Sequence, residues 1–188
     1  MLQLIGSIVI GGLFLLGMIT FYGDVTEYSN QKLFEQLTQE RTASLMEIIE
    51  HDFQRIGTGL LHPSDAIIDT VKLTFWADVT EDGTPDSVVY YTSIPDSASA
   101  TPNPNDVILY REVNGVKTID AAEGVTAFNV NFLDVTGTPT TDLRAIRMLD
   151  VSLTMQSTSA YDTTYATALW TKRIVPANLN RISNISYP

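Results

Sequence analysis

The sequence predicts an α+β protein in which one long N-terminal helix carries a mainly antiparallel β head. Three observations lead there. Residues Met1 to Tyr22 hold no charge, and no proline occurs before Pro63, so nothing breaks a helix over the first fifty-odd residues. Between Leu33 and Leu60 the apolar residues recur mostly three or four apart, the spacing of one helix face. Beyond Pro63 short runs of alternating apolar and polar residues are separated by Gly, Asn and Pro, which is the pattern of strands and turns. Three segments follow: an apolar helix over 1–23, an amphipathic continuation over 24–60, and a β-rich head over 61–188.

The apolar segment is long enough to cross the ~30 Å hydrocarbon layer of a bilayer, which takes about 20 residues. A cleaved secretory signal competes with that reading, but its basic start is missing: the first charge is Asp24 and the first basic residue Lys32. The lack of Lys and Arg on the short side also leaves no charge asymmetry to orient the span. Small residues are numerous here, at Gly6, Ser7, Gly11, Gly12 and Gly17. Ser7 and Gly11 are four apart, a spacing that lets helix backbones approach closely in an apolar medium, although glycine is also commoner in membrane helices generally.

The second half carries its apolar residues at Leu33, Phe34, Leu37, Leu45, Met46, Ile48, Ile49, Phe53, Ile56 and Leu60. The Thr38 to Ser44 stretch interrupts the series, so the helix is expected to leave one packing surface there and join another. Above the break it should lie on its own head, and below it on neighbours or lipid. A helix over Leu2 to Arg55 would be roughly 80 Å long at 1.5 Å per residue, too long for a bilayer alone. Gly23 marks the junction and is a place for a bend or local unwinding. Gly57 and Gly59, followed by Pro63, are expected to end the helix.

In the head, Val71 to Asp78 and Ser87 to Thr92 flank Thr80 to Pro85, where Asp82-Gly83 signals a hairpin. Val107 to Glu112 and Val116 to Ile119 flank a second turn at Asn114-Gly115. Phe128, Val130 and Phe132 alternate with asparagines, Leu149 to Gln156 is the clearest half-buried strand, and Thr167 to Val175 is the last. Successive hairpins imply an antiparallel sheet with one face on a core, for which the Leu45 to Leu60 stripe is a ready cover.

Eleven basic and twenty-two acidic residues leave a net charge of −11, which disfavours nucleic acid and anionic lipid as partners of the head. The absence of cysteine excludes disulfides, thiolate chemistry and covalent c-type haem. No catalytic pattern stands out. His51 and His62 are isolated, no phosphate-binding glycine loop or nucleophile elbow occurs, and no spacing brings Asp134, Asp142 and Asp150 together, so no enzyme is expected. One motif has chemical content: Asp78, Thr80, Asp82, Thr84 and Asp86 alternate around Gly83, the arrangement of oxygen ligands in a calcium loop, with Glu81 as an extra oxygen. Position twelve of that loop is Val89 rather than a bidentate Glu, so a calcium site would need ligands from elsewhere. The same residues also read as an acidic, solvated hairpin turn.

The layout as a whole resembles the type IV pilin and pseudopilin superfamily. The run Glu47 to Gly59 (EIIEHDFQRIGTG) looks like the end of the long helix in the larger minor pilins and pseudopilins. Leu73 to Tyr91 is similar to their following hairpin, and Leu109-Tyr110-Arg111 and Ile174 to Leu179 resemble later strands more loosely. Family subunits carry Glu as the fifth mature residue, where it pairs with a neighbour's terminal amine; if Met1 is the first mature residue that position is Ile5, and if Met1 is the translation start no peptidase processing is implied. The resemblance implies a structural subunit of an extracellular filament at the cell surface. Its partners would be itself as a helical homopolymer, the inner membrane before assembly, and pilus or secretion machinery. The residues expected to carry assembly are Ser7, Gly11, Gly12, Gly17, Leu33, Phe34 and Leu37. The alternatives are a membrane-anchored monomeric binding module of the surface or periplasm, calcium-binding if the acidic loop is a site, and a minor pseudopilin of a secretion system.

Overall fold

The computed structural model describes residues 2–93, 101–119, 124–160 and 163–180, with side chains from Ile5 onward. Helix α1 (Leu2–Gln54) is one unbroken element. It runs through Gly23 without unwinding, and the flanking Thr20 and Thr26 hydroxyls donate to the carbonyls of Leu16 and Tyr22 at 3.0 and 2.8 Å. The expected interruption is therefore absent: a single glycine costs only about 1 kcal/mol against alanine, too little to break a long cooperative helix. The helix ends as expected. Gly57 and Gly59 have φ of +83° and +82°, and the Gly57 amide donates to Trp76 O at 2.9 Å, leading the chain from the helix onto the sheet.

A short 3₁₀ turn (Pro63–Asp65) leads into eight strands: β1 (Ile67–Asp69), β2 (Leu73–Ala77), β3 (Asp86–Thr92), β4 (Leu109–Val113), β5 (Val116–Ile119), β6 (Val125–Leu133), β7 (Met148–Gln156) and β8 (Thr167–Ile174). All pairings are antiparallel, but they form two sheets rather than one, in the orders β1-β2-β3-β4-β5 and β6-β7-β8. The sheets meet where the Val107 amide donates to Val125 O at 2.8 Å. Phe75, Val88, Tyr90 and Leu109 from the first sheet and Leu149, Val151, Leu153 and Met155 from the second share one core with Met46, Ile49, Phe53 and Ile56 of the helix region.

The two hairpins read from sequence form, by different means. Asn114 and Gly115 have φ of 52° and 79°, the positive values that a tight type I′ turn requires. The β2–β3 link is instead an eight-residue loop, 78–85, and its Asp-Gly pair does not make a two-residue turn.

The head begins lower on the helix than the polar break suggests. Thr38 and Thr42 are buried, and their hydroxyls donate to Phe34 O and Thr38 O at 2.8 and 2.7 Å. A threonine satisfied by its own helix can be buried without a partner in the sheet, so this polar stretch belongs to the covered face. The change of surface lies near Phe34, which is half-buried, and not within Thr38 to Ser44.

Candidate functional site

The feature that sets this molecule apart is the free N-terminal arm of α1. Every large apolar residue described from Ile5 to Tyr28 is between 48 and 76% exposed. An amphipathic helix would hide its apolar residues on one side, but here they stand open on every side, and the 18-residue window of highest hydropathy has none of its residues buried. The arm is long and apolar enough to cross a membrane. The small residues expected to serve assembly lie on it, and a side-chain carbon placed at Gly11, Gly12 or Gly17 would meet nothing within 4 Å. Ser7 is exposed alongside them.

Apolar exposure continues above the arm. Leu33 is 52% exposed, and Leu37 and Ile48 are each 41% exposed, along one flank of the helix. Phe34 faces the head's rim, where it helps line a cleft of about 280 Å³ with Gln39 and Tyr165. The seven residues expected to carry assembly therefore divide: six lie on exposed surface, while Phe34 is partly taken up by the chain's own head.

The contact that ties the upper part of α1 to the head has little signature in the sequence. Asp52 is fully buried on the covered face of α1, and Arg111 of β4 grips its carboxylate from both sides, Nε to Oδ2 at 2.6 Å and an Nη to Oδ1 at 2.9 Å. The Tyr90 hydroxyl of β3 donates to Oδ2 at 2.6 Å. Burial, and then the neighbouring Asp52 carboxylate, push the Tyr90 phenol well above its ordinary range, so it remains a donor. Burial pulls Arg111 down, but its bond to Asp52 outweighs this and leaves the guanidinium above its usual value. Phe53 fixes the same corner edge-on to the rings of Phe75 and Tyr90, at 5.5 and 5.4 Å. The available signal was a lone acid on an apolar stripe, Ile49-Asp52-Phe53-Ile56. Its partner lies 59 positions away, beyond the reach of local pattern.

The acidic loop is organised as a turn. Asp78 accepts from the amides of Asp82 and Gly83, both at 3.1 Å. Asp86 accepts from the amides of Val79 and Thr80 and from Asn114 Nδ2, the last at 2.7 Å. Burial pushes the Asp86 carboxyl up, but these bonds and that from the Thr80 hydroxyl outweigh it, and the group sits below the usual carboxylate range. Asp82 is held low by the Thr84 hydroxyl and amide. Lone pairs of Asp78, Asp82 and Asp86 thus serve the loop backbone and its threonines. Among the described residues no three acidic or histidine side chains converge on one point. Glu81, at φ 60°, turns out of the loop to pair with Arg55 and approach His51 Nε2 at 3.6 Å, tying the loop to the helix end.

The remaining carboxylates act separately. Asp134 caps a turn through Thr136 and Thr138, Asp142 accepts from the Arg144 amide, and Asp150 forms two bonds with Arg173, both at 2.7 Å, on an exposed sheet face.

The architecture is pilin-like: a long helix, apolar in its first half, with an antiparallel head on its second. Comparison with family models, with characterised proteins and with solved structures finds no match to this chain.

Proposed function

We propose that the chain is a structural subunit of a pilus-like extracellular filament, a member of the type IV pilin and pseudopilin superfamily, assembled by bundling of its N-terminal arms with the heads outside. The observation that carries this reading is the uncovered apolar surface that runs up the helix past any membrane span. A tether needs only about 20 residues in the bilayer. Leu33, Leu37 and Ile48 lie above that depth and remain exposed, so a lone anchor would leave them in water. At ~25 cal/mol per Å² of apolar area, covering the arm and this stripe with neighbouring helices supplies a large driving force for association. The open space beside Gly11, Gly12 and Gly17 suits close backbone approach. Before assembly the same arm would hold the subunit in the inner membrane, where pilus or secretion machinery would take it up.

The test is negative-stain electron microscopy of material sheared from expressing cells, with mass spectrometry of the subunit's N-terminus. Fibres containing this chain are expected. Recovery only from the detergent-extracted membrane fraction, without fibres, would leave the membrane-anchored module or a minor pseudopilin.

A further inference from the structure

Two stripes on α1 complement each other in charge. On one flank of the helix, beside the buried face, Leu33, Leu37, Arg41, Ser44 and Ile48 follow at spacings of three and four, all exposed. On the head's side, the buried line through Thr42 and Thr38 continues down the bare arm as Phe34, Gln31, Glu27, Asp24 and Thr20 at the same spacings. The first stripe is apolar with one cation at its centre, and the second is apolar and small below an acidic pair. Arg41, Asp24 and Glu27 each lack an ion-pair partner among the described residues, whereas Lys32, the nearest cation on the arm, is bound to Glu35 at 2.6 Å and lies over the Tyr28 ring. Packing the arm among other helices would strand two carboxylates in an apolar setting, which is strongly unfavourable unless a cation meets them there.

We infer that Arg41 of one copy pairs with Asp24 and Glu27 of the next, and that this pairing sets the axial stagger between neighbouring subunits. The inference rests on the filament reading above and specifies its contact. Arg41 lies fourteen residues above Glu27 and seventeen above Asp24, so parallel helices brought into this register are displaced by about 21 to 26 Å at 1.5 Å per residue. The same displacement sets Leu33 and Leu37 of the lower copy level with Gly17 and Thr20 of the upper one, apolar side chains against a small-residue surface. Because the two stripes lie on different sides of the helix, the contact is head-to-tail and does not close on itself, which is what a helical fibre requires.

The chain has no cysteine, which makes cross-linking clean. Arg41→Cys combined with Glu27→Cys is expected to give a ladder of covalent multimers when sheared fibres are oxidised. The two positions are too far apart on one rigid helix to bond within a chain. Arg41→Cys with Leu13→Cys, out of register by several turns, is expected to cross-link about tenfold less, a difference of roughly 1.4 kcal/mol per contact. In cysteine-free chains Arg41→Glu should reduce fibre yield, and adding Asp24→Lys and Glu27→Lys should restore it. Fibres that form normally with Arg41→Glu, or that cross-link equally through position 13, would overturn the stagger and leave the filament reading intact. A wild-type chain that forms no fibres, together with an Arg41→Cys, Glu27→Cys chain that gives no multimer ladder, would overturn both.

Discussion

One helix lives in two environments. Above Phe34 its inward face is buried to the last atom at Ile49, Asp52 and Phe53, while below it the larger apolar side chains stand about half or more in the open. The lower half is the more hydrophobic of the two and the less covered. Hydrophobicity alone therefore does not say what a segment packs against. The upper half is specified by chemistry that fits one partner only, a buried carboxylate held by Arg111 and Tyr90 and a phenylalanine set edge-on to two rings. The lower half carries little such detail in its first turns and suits lipid or repeated copies of itself.

If that division is right, substitutions in the two halves should fail in different assays. The largest effect on folding is expected at Asp52. Asp52→Ala leaves the Arg111 guanidinium and Tyr90 hydroxyl without their shared acceptor, and breaking one side of a buried pair costs about 3–5 kcal/mol. Thermal unfolding of the detergent-solubilised chain should show a drop of many degrees. Phe53→Ala should come next, at about 3 kcal/mol or more from lost contact and the cavity left behind, measured by urea denaturation. Leu37→Asp should do the reverse, leaving head stability within about 0.5 kcal/mol, as for surface positions generally, while fibre yield collapses. Gly11→Leu is expected to behave in the same way by blocking close helix approach. A Leu37→Asp chain that assembles normally would break the comparison at its most exposed point.

Smaller effects probe the turn that latches onto the helix end. The Asp86 carboxyl sits below its unfolded value, so it contributes stability that is full above about pH 4 and is lost as pH falls through the folded value. The urea midpoint should fall between about pH 7 and about pH 3, and Asp86→Asn should fall less over that range. The smallest effect is expected at Glu81→Gly, which relieves a left-handed backbone position but removes the partner of Arg55, two terms of about 1 kcal/mol or less that largely offset. A change in midpoint beyond about 1 kcal/mol would show that the latch matters more than an exposed pair should.

Much of the fold is legible in residue order because its signals are local. The proline-free apolar run, the Gly57 and Gly59 stop and the alternation from Leu149 to Gln156 each appear in the structure where the pattern sets them. The division of the head into two sheets is not legible, since it depends on β6 pairing with β7 rather than with β5, a choice made by tertiary contact. The Asp52–Tyr90–Arg111 cluster escaped for the same reason: its members come from one helix and two strands. The Thr38 to Ser44 stretch misled because hydroxyls that bond back to their own helix behave, once buried, almost as apolar groups.

Thiol labelling asks whether the exposed side of α1 is covered by other copies of the chain. Leu37→Cys and, separately, Val71→Cys on a head turn would be labelled with a soluble maleimide in sheared material and again in detergent-dispersed subunits. Position 37 is expected to be protected in the first and reactive in the second, while position 71 reacts in both. Equal labelling of position 37 in the two states would contradict that covering.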